Sequence, residues 1–202
     1  MTLSYYRTVV AEISGRVQEL SRSRQVILIG IDGCGGSGKS TLARELSESM
    51  GVVPIVPHDD FYKPSEERRQ PPEPHVPGWQ FDWQRLEAEV LKTLRNNGIA
   101  HYRRYDWPTD RLAETRTIHA NSAVIIEGVY TLRPELLSYY DLRCWVECPK
   151  EICLQRGIAR DGEQIRGRWE NDWRVEEEKY MRTCSPYLHA DIIIEGTSVG
   201  VK

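Results

Sequence analysis

Eight consecutive residues, Gly33-Cys34-Gly35-Gly36-Ser37-Gly38-Lys39-Ser40, carry the most specific chemistry in this sequence. Glycines in that run let the backbone curl until its N–H groups converge on an anion. Lys39 can reach the β- and γ-phosphates of a nucleotide, and the Ser40 hydroxyl can ligate Mg²⁺. The phosphate-binding set is Gly33, Gly35, Gly36, Ser37, Gly38, Lys39, Ser40 and Thr41. Two acidic positions join it. Asp59-Asp60 follows the apolar stretch 52–57, and Glu127 closes the apolar run Ala123-Val124-Ile125-Ile126. In an open parallel sheet, ligands bind beyond the carboxyl ends of the strands, so all three features face one crevice. Glu127 there suits a carboxylate that holds the water shell of Mg²⁺, and Asp59-Asp60 is a catalytic candidate. Either acidic element could equally cap a turn. Last, Arg156, Arg160, Arg166 and Arg168 crowd between Gly157, Gly162 and Gly167. Such a cluster on a hinged segment can neutralise charge on a transferring phosphoryl group; without a phosphate loop it would read as a solvated helix face paired with Glu163, Glu170 and Asp172.

These residues need a scaffold, and the hydrophobic pattern supplies one. Val26-Ile31 reads as a buried strand before the loop, and Thr41-Leu46 as the helix after it. Further strands are expected over 52–57, 123–128, 142–147 and 191–195, alternating with helices, which implies right-handed parallel crossovers. Residues 2–20 place Leu3, Tyr6, Val10, Ile13, Val17 and Leu20 at helical spacing. That helix either packs beside the sheet or forms a dimer contact. Residues 63–78 hold five prolines and read as a loop bordering the acceptor site. Helical periodicity resumes at Asp82 and stops near Asn97-Gly98, and residues 101–107 and 116–119 read as short edge strands.

Length and composition restrict the rest. At 202 residues the chain is expected to form one domain over 1–202. A formal net charge of −3 gives no general attraction to nucleic acid polymers or anionic membranes. No run of eighteen apolar residues and no signal-peptide core occurs, so a cytoplasmic location is expected. The five cysteines show no paired C-x-x-C spacing and read as reduced thiols packed in the fold.

Taken together, these landmarks resemble the uridine kinase family of P-loop kinases, a group that includes nicotinamide riboside kinase, phosphoribulokinase and the bacterial type of pantothenate kinase. The shared elements are Gly33 to Ser40, Asp59-Asp60-Phe61-Tyr62, Glu127-Gly128, Arg160-Asp161 and Arg166-Gly167-Arg168. The resemblance implies a P-loop three-layer sandwich with a mostly parallel sheet of about five strands and an Arg-rich lid over 157–172. It implies transfer of a phosphoryl group from ATP, with Mg²⁺, to a hydroxyl of a small-molecule acceptor. Asp59 would orient or receive the hydroxyl proton and stand near the metal with Ser40 and Glu127. Asp82 matches an acid that bonds sugar hydroxyls, Tyr62 and Tyr105 would line the acceptor pocket, and Lys39, Arg160, Arg166 and Arg168 would contact the phosphates. Two departures stand out. Pro108-Thr109-Asp110-Arg111 lies where uridine kinases carry a base-reading histidine, and Arg156-Gly157 replaces a pair of arginines. The expected activity is therefore an ATP-dependent kinase for a nucleoside-like or sugar-like alcohol, alone or as a homo-oligomer. The alternatives are a pantothenate-like acceptor and a nucleotide-hydrolysing switch.

Overall fold

The computed structural model describes residues 2–198. Five strands form the central sheet: β1 (Ile27–Asp32), β2 (Ile55–Pro57), β5 (Ala123–Glu127), β6 (Leu142–Glu147) and β7 (Ile192–Glu195), in the order β2-β5-β1-β6-β7. Every pairing in it is parallel. Such strands are apolar on both faces because helices cover both, and the buried runs of β1 and β5 show that pattern.

The two-residue period of the strands sorts their side chains into two cores. On one face Ile27, Ile29, Ile125, Leu142, Cys144 and Ile194 pack against α1 (Thr2–Leu20) and α2 (Lys39–Ser49). On the other, Leu28, Val56, Val124 and Ile126 pack against a long helix, α3. It runs through Trp83–Arg85, a π-helical stretch Leu86–Leu91, and Lys92–Asn97. Helices thus lie on both faces of one sheet.

The N-terminal helix turns its apolar stripe inward. Tyr6, Val9, Ile13 and Val17 are buried and Val10 and Leu20 partly so, which favours packing beside the sheet over a dimer contact through this stripe. The side chain of Leu3 lies outside the described residues. Two expectations change. The second strand begins at Ile55 rather than Val52, because Gly51 and Val52 have φ of 82° and 65° and Ser47 ties back the Val52 amide and the Val53 carbonyl. The segments expected as edge strands pair with each other instead, as an antiparallel hairpin of β3 (Ile99–Asp106) and β4 (Arg111–His119) outside the central sheet. Ala100, Tyr102 and Ile118 then cover α3 and the sheet, so the hairpin is a flank of the second core.

Helix α4 (Lys150–Asp161) follows β6, and after Gly162 (φ 97°) a short turn, Glu163–Ile165, leads into α5. That helix comprises Arg166–Arg168, a π-helical stretch Trp169–Trp173, and Arg174–Cys184. Gly157 is not a hinge. It is buried within α4, where an added Cβ would lie 2.5 Å from the Trp169 indole.

Candidate active site

Register sets the constellation. Ile31 of β1 and Pro57 of β2 both lie opposite Glu127 of β5, so the three strands end together and release the glycine-rich loop, Asp59 and Glu127 into one crevice. The loop is shaped by its glycines. Gly36 has φ 78° and its Cα abuts the Cys153 carbonyl, leaving no room for a side chain; Gly38 has φ 108° and forms the N-cap of α2. The amides at the start of α2 are therefore left for an anion rather than satisfied by a capping side chain. Lys39 is buried and donates to the Cys34 carbonyl at 2.8 Å, folding its cation over the loop. The Ser37 hydroxyl is buried without a hydrogen-bond partner.

Ser40 Oγ donates to Glu127 Oε2 at 3.2 Å. Burial raises the pKa of Glu127 and the nearby Asp59 charge adds to it, while Lys39 opposes both. Asp59 stands open to solvent on the turn His58–Phe61. Enclosure by the crevice raises its pKa, Lys39 and then Arg160 pull it down, and the water touching it weakens the first effect. Its neighbour has a different fate: Asp60 Oδ2 accepts from Tyr102 Oη at 2.8 Å and Arg116 at 3.1 Å, anchoring the turn to the hairpin. His58, fully buried, has its pKa lowered to about 4 by burial and is neutral; its Nδ1 donates to the Val129 carbonyl at 2.7 Å.

The arginines separate. Arg160 binds Asp161 through two nitrogens at 2.6 and 2.8 Å, and the charges of Asp59 and Glu127 act on it. Arg168 lies over the Trp173 ring at 5.1 Å and its charge acts on Tyr62. Arg166 is held by Glu163 and Glu170 on the solvent side, the arrangement expected of a solvated helix face. Arg156 donates to the Gly196 carbonyl at 2.9 Å and serves the fold.

On the other side of Asp59, residues 61–63 and 80–82 pair as extended backbone: Asp82 N–H donates to the Phe61 carbonyl at 2.8 Å and Lys63 N–H to Gln80 at 2.9 Å. Asp82 Oδ1 also accepts the Arg85 amide at 3.0 Å, capping α3. Tyr62 lies between Phe81, Tyr105 and Trp107, with ring centroids 4.9, 5.5 and 4.5 Å away. Tyr105 Oη donates to Asp110 at 2.6 Å, and Asp110 also accepts from the Ser65 amide at 3.0 Å and lies 3.4 Å from Arg68. The proline-rich segment is thereby tied to the hairpin tip, with the Arg68 guanidinium 4.3 Å above the Tyr62 ring.

Three contributors were not singled out from the sequence. Asp32, fully buried, accepts from Gly33 N–H at 2.6 Å, Leu132 N–H at 2.7 Å and Tyr180 Oη at 2.8 Å, and burial raises its pKa to about 6. Its place at the last residue of β1, immediately before the loop, was the available signal. Glu177 accepts the Gly35 amide at 2.8 Å from 142 residues away, a contact only the fold makes, and Arg68, six residues after Tyr62, stacks on its ring.

Comparison with known proteins gives the family and the fold. A sequence profile of the Phosphoribulokinase / Uridine kinase family matches residues 28–198. A uridine kinase of Escherichia coli strain K12 is 30% identical over 195 residues, covering 86% of this chain and 88% of its own. One from Halobacterium salinarum is 28% identical over 179 residues, covering 82% and 78%. Among solved structures, a possible uridine kinase from Bacillus stearothermophilus superposes with a TM-score of 0.67 at 24% identity, covering 91% of this chain and 100% of that one. A putative fructose transport system kinase from Silicibacter shares the fold with a TM-score of 0.64 at 19% identity, covering 91% and 98%.

Proposed function

This chain belongs to the phosphoribulokinase/uridine kinase family and is a phosphotransferase with an alcohol group as acceptor; from that premise we propose that it moves the γ-phosphoryl group of ATP to a hydroxyl of a nucleoside-like or sugar-like molecule. One observation carries the reading. Ser40 and Glu127 meet at 3.2 Å where β5 ends, and the charges of Asp59 and Lys39 both act on that carboxylate. A phosphate loop, a metal-type carboxylate and a solvent-reachable acid thus share one crevice.

In this reading the loop amides other than that of Gly35, which Glu177 takes, hold the nucleotide phosphates with Lys39, and Asp59 orients the acceptor hydroxyl and takes its proton. Arg160, and after closure Arg168 and Arg166, offset charge on the transferring group. Asp82 has one carboxylate oxygen committed to capping α3, which leaves the other for vicinal hydroxyls of the acceptor. Tyr62 and Tyr105 form the apolar wall. Ser40, Glu127 and Asp59 are hard oxygen donors of the kind Mg²⁺ takes when nucleotide phosphates complete its shell. Held there with the nucleotide, Mg²⁺ would supply positive charge against the charge that develops on the transferring phosphoryl group. The stretch 108–111, where the family resemblance puts a base-reading histidine, has none, and its Asp110 is already engaged with Ser65, Tyr105 and Arg68, which supports an acceptor recognised by its hydroxyls.

A panel of nucleosides, free sugars and small polyols incubated with γ-labelled ATP tests this. Labelled product from an acceptor with vicinal hydroxyls is the expected result. Phosphate release that no acceptor stimulates would instead identify a nucleotide-hydrolysing switch.

A further inference from the structure

Glu177 takes no part in the chemistry above, yet it is a buried carboxylate in contact with the phosphate loop. A buried acid is costly unless it is bonded, and this one accepts the Gly35 amide at 2.8 Å. Burial pushes its pKa up, whereas that amide, Lys39 and Cys34 favour its charged form. A second residue of the same helix meets the loop at the same place. A Cβ on Gly35 would lie 2.8 Å from the Trp169 indole and 3.0 Å from Glu177 Oε1, so Gly35 sits in a notch that these two side chains close. Trp169 is itself buried; it packs on Gly157 and donates Nε1–H at 3.1 Å to Asp161, the partner of Arg160.

We propose that Glu177 is a positioning residue for nucleotide binding: by accepting the Gly35 N–H it commits that amide to α5 and braces the phosphate loop against the helix that carries Arg166 and Arg168. Trp169 is the second point of the brace. Loop shape and the placement of the arginine-bearing segment are then one packed unit. The proposal rests on the kinase reading only in taking the loop's ligand to be a nucleotide.

Two variants separate the acceptor function from charge and bulk. Glu177→Gln keeps an oxygen to accept the Gly35 amide, while Glu177→Met keeps the length and removes the acceptor. Titration calorimetry with Mg·ADP is expected to show Glu177→Gln binding at least as tightly as wild type. Glu177→Met should bind roughly tenfold more weakly, because the nucleotide must then order a loop that the bond no longer holds in place. Hydrogen exchange of the ligand-free proteins should show amides of residues 33–40 exchanging faster in Glu177→Met and not in Glu177→Gln. Wild-type affinity in Glu177→Met, or a Gln variant as weak as the Met one, would overturn the brace. A wild-type protein that does not bind Mg·ADP would sink the kinase reading instead, and the exchange comparison then decides the brace alone.

Discussion

Asp59 and Asp60 are adjacent and chemically identical, and their surroundings assign them opposite work. Asp60 is spent on Tyr102 and Arg116, whereas Asp59 faces the crevice with Lys39, Arg160 and Asp161 acting on it. Asp59→Asn is expected to lower kcat by about a hundredfold or more, because a positioned base acts in the transition state. Asp60→Asn should instead cost about 1–3 kcal/mol of stability through poorly satisfied buried partners, with kcat reduced far less. Steady-state kinetics and thermal melts on the two variants check both statements. Asp32 gives a second test at this scale. Its pKa is raised in the folded state to about 6 from an ordinary value of 3.8, so the folded protein favours its neutral form. The stability contribution is full below the ordinary value and lost as pH rises through about 6. Asp32→Asn stays neutral throughout, so the melting-temperature gap, variant minus wild type, should grow between pH 4 and 7. A gap that stays constant across that window would remove the burial argument.

The elements divide by how local their causes are. Strand β1, the loop and α2 are legible because apolar run, glycine curl and helix follow one another in the chain, and the Asp82 and Gly98 boundaries of α3 follow from a cap and a left-handed glycine. The start of β2 and the pairing of β3 with β4 were not legible: Ser47 reaching back to residues 52 and 53, and a hairpin choosing itself over the sheet edge, are decided by tertiary contacts. The glycines of 157–172 show the same limit. Gly157 and Gly162 look alike as hinges in sequence, but one is wedged under Trp169 and only the other turns the chain. Gly157→Ala is therefore expected to destabilise. Overpacking costs typically about 1–3 kcal/mol, against a helix-propensity gain of at most about 1 kcal/mol. The packing term wins because the buried Trp169 indole is also packed tightly against Gly35. Chemical denaturation should show the lower stability, and quenched or shifted tryptophan emission should report the displaced indole.

At the scale of the whole molecule, the site depends on a sheet that must be covered on both faces, and α1 closes one of them. The sequence left that helix between two roles, since an amphipathic stripe says only that something apolar covers it. What decides is consumption of the stripe: Tyr6, Val9, Ile13 and Val17 lie in the same core as Ile29, Leu46 and Ile194. Ile13 is fully buried there. Truncating such a side chain removes its transfer free energy and leaves a cavity, together about 2–5 kcal/mol, and for a chain of this size that is about 5–15 °C in melting temperature. Ile13→Ala should therefore lower the midpoint by that amount while sedimentation velocity gives the same mass as wild type. If the stripe were instead an interface between copies, the substitution would dissociate an oligomer and make the melting midpoint depend on protein concentration. A mass change on Ile13→Ala, with the monomer's own stability unaltered, would return α1 to the surface of an assembly and leave the first core of the sheet to be covered by something else.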